Sequence, residues 1–146
     1  MSAKLCIPAA TATQFLAVAD GGSTGGYLVT ANTMNICGIS APWGSLVGVF
    51  VGPAILPTPA PLDYWSDPNS RNFTRQNPGM QQPFFIGDGT SNTLLIQETV
   101  VPPGATHLYL GVHDSGNWGD NLGAFSVEVI TRSGIAPVID SLLLAD

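Results

Sequence analysis

The sequence predicts an all-β chain, a jelly-roll-like β-sandwich of about seven to nine strands, and three observations carry that prediction. Gly (17) and Pro (12) are plentiful, while lysine and glutamate, which usually coat exposed helices, are almost absent. Short runs rich in Val, Leu, Phe and Thr recur between turn residues. The two best-defined runs, in the last third, alternate between two faces with period two.

Taken in order, "TQFLAVAD" (13–20), "GYLVTAN" (26–32), "SLVGVFVG" (45–52), "QPFFIGDG" (82–89) and "TLLIQETVV" (93–101) read as short strands. "VPPGATHLYLG" then sets a Pro-Gly turn directly before a strand. In "THLYLGVHD" (106–114), Leu108, Leu110 and Val112 share one face and His107, Tyr109 and His113 the other. In "GAFSVEVIT" (123–131), Phe125, Val127 and Val129 oppose Ala124, Ser126 and Glu128. One face of each strand is expected to be core and the other wet.

Residues 53–79, "PAILPTPAPLDYWSDPNSRNFTRQNPG", break this rhythm. Six prolines, at 53, 57, 59, 61, 68 and 78, exclude a central strand or a long helix. The segment reads as a long insertion, ordered in part by Leu62, Tyr64, Trp65 and Phe73, and either functional or a cap on the core. The C-terminal "SGIAPVIDSLLLAD" forms a last strand or packs on a neighbour.

At 146 residues and 15.1 kDa the chain fits a single domain, 1–146, and 45% hydrophobic residues suffice for a real core. Four cations (Lys4, Arg71, Arg75, Arg132) face ten acids, giving a net charge of -6. Such a surface repels phosphate backbones, which argues against a nucleic-acid partner, and it suits hard cations. No run approaches the length of a transmembrane segment. The start lacks the long apolar block of a signal peptide, so an extracellular or cell-surface protein implies another export route or a leader already removed. Cys6 and Cys37 are either a disulfide, closing a loop of ~30 residues and adding roughly 3 kcal/mol, or two buried thiols. "NFT" at Asn72 matches a glycosylation acceptor at a frequency close to chance.

The densest polar run is "HDSGNWGDN" (113–121), with two aspartates and two asparagines and no cation to balance them. Calcium takes six to eight oxygen ligands, which a short loop of carboxylates, carboxamides and carbonyls can largely supply. Asp114, Asp120 and Asn121 offer side-chain oxygens and Asn117 a carbonyl or side chain, while Gly116 and Gly119 permit tight turns. The spacing is not that of an EF-hand. The plainer reading is that Asp and Asn form turns by bonding to nearby backbone. Trp118 is either a sugar-stacking face or a core plug.

"GSLVGVFVG", "QPFFIGDG" and "VPPGATHLYLGVHDSGNWGDNLGAFSVEV" resemble, in that order, the LecA-like family of calcium-dependent galactophilic lectins over about residues 44 to 130. The resemblance implies a small jelly-roll sandwich in which one Ca2+ bridges loops and two sugar hydroxyls complete its coordination. Asp114 then matches the ligating aspartate, Asn117 a carbonyl donor, and Asp120 with Asn121 the family's adjacent Asn pair. A further carbonyl is implied in "GGSTGGY" (21–27), around Thr24 or Gly25. Sugar contacts are expected from Asp114, Asn117, Asn121, Trp118 and His113. The family's His-Pro-x-Gln stretch is missing, since "TANTMNICGISAPWGSLV" (30–47) has neither His nor Gln, which leaves the choice of sugar open.

No nucleophile elbow and no triad are visible, so the chain is not read as an enzyme. Two functions follow. One is a calcium-dependent carbohydrate-binding module of a secreted or cell-surface protein, multivalent because single sugar sites bind weakly. The other is a calcium-stabilised structural module that self-assembles as a homo-oligomer, fibre or surface layer, which low charge and an apolar tail favour.

Overall fold

The computed structural model describes residues 4–6, 26–29, 35–114, 125, 127 and 129–131. It is all-β: among the described residues, ten short strands and one 3-10 turn make up the regular structure. The strands are β1 (Lys4–Cys6), β2 (Gly26–Val29), β3 (Ile39–Pro42), β4 (Leu46–Val51), β5 (Leu62–Asp63), β6 (Arg75–Gln76), β7 (Phe84–Phe85), β8 (Glu98–Val100), β9 (His107–Val112) and β10 (Ile130–Thr131). They form three small sheets, ordered β10-β1-β8-β6, β2-β3-β5 and β7-β4-β9. The architecture agrees with the expected β-sandwich, and four of the described strands are only two residues long.

The β7-β4-β9 sheet lies between two apolar layers. "LVGVFV" alternates, so Leu46 and Phe50 of β4 join Phe84, Ile86 and Leu110 in one core cluster. On the opposite face, Val47 packs with Phe85 against Ile39, Ala41 and Tyr64. Register explains the sharing: Val47 pairs with Phe85 and Gly111, and Gly48 with Phe84 and Leu110. Phe84 lies over Gly48 and stacks on Phe50 at 5.0 Å. A Cβ at Gly48 would stand 2.7 Å from Phe84 Cζ, so glycine is there to admit the ring.

The alternation predicted for the last third holds on its apolar side but not at His113, which is buried. Leu108 and Leu110 enter the first cluster, and Phe125, Val127 and Val129 all pack against it. Elsewhere the expected bounds shift. "TLLIQETVV" becomes a strand only at Glu98. Residues 90–96 instead close a turn through a Thr90–Ile96 bridge, with Ser91 Oγ accepting from the Thr93 and Leu95 amides. Local side-chain bonds outcompete the ladder there, and Leu94 is left 83% exposed at a φ of 62°. β1 and β3 were not anticipated as strands. β3 is buried along most of its length and therefore shows no alternation. The expected strand at 13–20, the C-terminal "SGIAPVIDSLLLAD" and the side chain of Cys6 fall outside the described residues.

The proline-rich insertion holds neither a central strand nor a long helix. β5 adds in parallel to β3, β6 in parallel to β8, and a 3-10 turn at Pro68–Arg71 lies between them. Asp67 caps that turn, accepting from Asn69 N at 2.9 Å, with Pro68 at its start. Hydrogen bonds, first from Ser66 and then from Trp65, bring the exposed Asp63 carboxyl down to about 2. As expected, Tyr64 is buried and Leu62 and Phe73 pack on the cores, while Trp65 is half-buried.

Four glutamines fasten the insertion and its flanks. Gln81 and Leu56 exchange two bonds, Leu56 N to Gln81 Oε1 at 2.7 Å and Gln81 Nε2 to Leu56 O at 3.2 Å. Gln81 takes a φ of 60°, a strain of about 1–2 kcal/mol for a non-glycine residue, offset by those bonds and by Gln81 N to Phe50 O at 2.8 Å. Gln82 Nε2 donates to Ala60 O, and Gln97 Nε2 to Arg71 O and Phe73 O. Gln76 Nε2 donates to Phe85 O and Thr99 Oγ1. Among the described residues Cys37 is a free, buried thiol whose Sγ lies 3.6 Å from Ala60 O. Burial pushes its thiol up.

Candidate functional site: the corner at Asp114

Asp114 lies two residues beyond the end of β9, half-buried, just past the strand's ladder with β4. What stands beside it is set by three chain segments. The ladder continues one step past Leu46 and Val112, through His113 N to Ser45 O and Gly44 N to His113 O, both 2.9 Å. The turn Pro42–Ser45 is therefore fastened to the residue before Asp114. Ser45 Oγ donates to Pro42 O at 2.6 Å and closes the turn, and Gly44 supplies the left-handed φ of 74° that it requires. On its other side Pro42 pairs with Gly26, the first residue of β2.

The corner therefore joins the start of β2, the turn between β3 and β4, and the end of β9. Thr24 and Gly25 immediately precede Gly26, and residues 115–121 immediately follow Asp114. Of the expected metal ligands, Asp114 is described, while Thr24, Gly25, Asn117, Asp120 and Asn121 lie outside the described residues, as does Trp118. Among the described residues no three His, Cys, Asp or Glu side chains converge. The described part of the corner supplies one carboxylate and a rigid backbone frame, the kind of donor a hard cation takes when amide and main-chain oxygens join it.

His113, expected among the sugar contacts, is 3% exposed, with its backbone bonded on both sides to the Pro42–Ser45 turn. The same turn carries a residue that sequence reasoning passed over, Trp43, half-buried and two residues from the bond between Ser45 and His113. Its signal was an indole between Pro and Gly in a turn. His107 and Tyr109 stack at 6.3 Å at the other end of β9, and His107 Nδ1 meets Thr106 Oγ1 at 2.9 Å.

Neither protein-family models, curated proteins nor solved structures give a match to this chain. Among the described residues no helix is long and apolar enough to cross a membrane.

Proposed function

We propose that the chain is a calcium-dependent carbohydrate-binding module of a secreted or cell-surface protein, with a galactose-type sugar as its ligand class. The observation that carries this reading is the corner: Asp114 shares it with the residue that follows Thr24–Gly25 in the chain, through Pro42 and the turn bonded to His113. Asp114, Asp120 and Asn121 would hold the ion with side-chain oxygens, and Asn117 and Thr24 or Gly25 with carbonyls. Bound calcium supplies a fixed charge that takes two neighbouring hydroxyls of a sugar in place of water. An aromatic face beside the ion adds contact with the sugar's C–H groups, for which Trp118 and Trp43 are the candidates.

Titration calorimetry with galactosides is the test. Heat is expected with calcium present and none after chelation. Absence of heat with calcium present overturns the reading.

A second reading, a calcium-stabilised module that assembles with copies of itself, is favoured by Leu94, Leu95 and Ile96, three consecutive large apolar side chains all exposed, together with exposed Ile55 and Leu56. Light scattering across a calcium series is expected to show growth in mass under this reading, and a monomer throughout overturns it.

A further inference from the structure

Gln97 is 4% exposed, and both hydrogens of its Nε2 are committed, to Arg71 O at 2.6 Å and Phe73 O at 3.0 Å. These acceptors fix the orientation of the amide, because the flipped form would set its oxygen against two carbonyl oxygens. Oε1 is thus turned away from them, buried, and reached by no donor among the described residues. Buried amide oxygens are rarely left so, and a solvent molecule is the usual remedy.

Beside it lies a small cavity of about 10 Å³, walled by Gln97, Thr99, Gln76, Phe73 and Phe85 among others, close to the least space that admits one water. Thr99 is also buried. Its Oγ1 accepts from Gln76 Nε2 at 2.9 Å, which leaves its own hydrogen to donate. Gln97 and Thr99 are two residues apart on an extended segment, so both side chains project to one side with roots about 6.6 Å apart. Two ordinary hydrogen bonds through one oxygen atom span such a gap.

We propose that this cavity is a binding site for a single ordered water, which accepts the Thr99 hydroxyl hydrogen and donates to Gln97 Oε1. The water completes a polar chain through the interior. Tyr64 donates to Gln76 Oε1 at 2.7 Å, Gln76 to Thr99, Thr99 to the water, the water to Gln97, and Gln97 to the carbonyls of Arg71 and Phe73. The insertion is then held to the strand at Thr99 from both sides of its 3-10 turn, by Tyr64 before it and Phe73 after it.

A high-resolution crystal structure of the unaltered protein tests this. Density for one oxygen within about 2.6 to 3.2 Å of both Gln97 Oε1 and Thr99 Oγ1 is expected. A dry cavity, or an oxygen that touches only one of the two, overturns the proposal. A double-mutant cycle of Thr99→Val and Gln97→Met, read by thermal denaturation, gives an independent reading. The paired variant is expected to lose less than the sum of the two single losses, and strict additivity overturns the bridge.

Discussion

Tyr64 carries a phenol into the layer between β3 and β7, with its ring 5.6 Å from that of Phe85. Desolvation by burial pushes its ionisation up to about 12 from 10.0. Because the folded value is the higher one, the contribution to stability is complete below pH 10 and is lost as pH rises through about 12. Melting temperatures measured across that window are expected to fall more steeply for the wild-type chain than for Tyr64→Phe, which has no phenol to ionise. Asp114 makes a second prediction at this scale. A ligand that binds only the folded state raises the melting temperature, so calcium is expected to stabilise the wild-type chain and to leave Asp114→Ala unmoved. An unchanged calcium shift in that variant would remove Asp114 from the site. The sequence points to Asp114 because an alternating run leads up to it and an acidic loop follows it. Period two places His113 on the outer face, yet it is 3% exposed, with its backbone bonded to the Pro42–Ser45 turn.

At the scale of elements, β4 and β9 were legible because six residues of alternation are enough to declare two faces, and their ladder runs from Leu46–Val112 to Val51–His107. Strands of two to four residues declare nothing of the kind. β5 and β6 exist because β3 and β8 offer them open edges, a tertiary cause with no local pattern in residues 62–63 or 75–76. Gly48 tests how β4 and β7 fit. Gly48→Ala forces its methyl group against Phe84, which is wholly buried and has nowhere to retreat. A loss of about 1–3 kcal/mol is expected in chemical denaturation. A neutral outcome would show that the two strands are not packed as closely as described.

For the molecule as a whole, the all-β class was legible from composition and punctuation, but the corner that frames Asp114 was not. It depends on Gly26 meeting Pro42 and on Gly44 meeting His113, contacts between segments separated in the chain by 16 and 69 positions. No window along the sequence spans them. The way the proline-rich insertion is fastened has a consequence of its own. Gln76, Gln81, Gln82 and Gln97 hold it and its flanks through neutral amides. Dissolved electrolyte screens charges, not amide-to-carbonyl bonds, and a carboxamide does not titrate. These amide fastenings should therefore hold alike in brackish and in fresh surroundings. Their vulnerability is chemical ageing: hydrolysis of the Gln97 amide to a carboxylate would turn a donor to two carbonyls into a charge repelled by both.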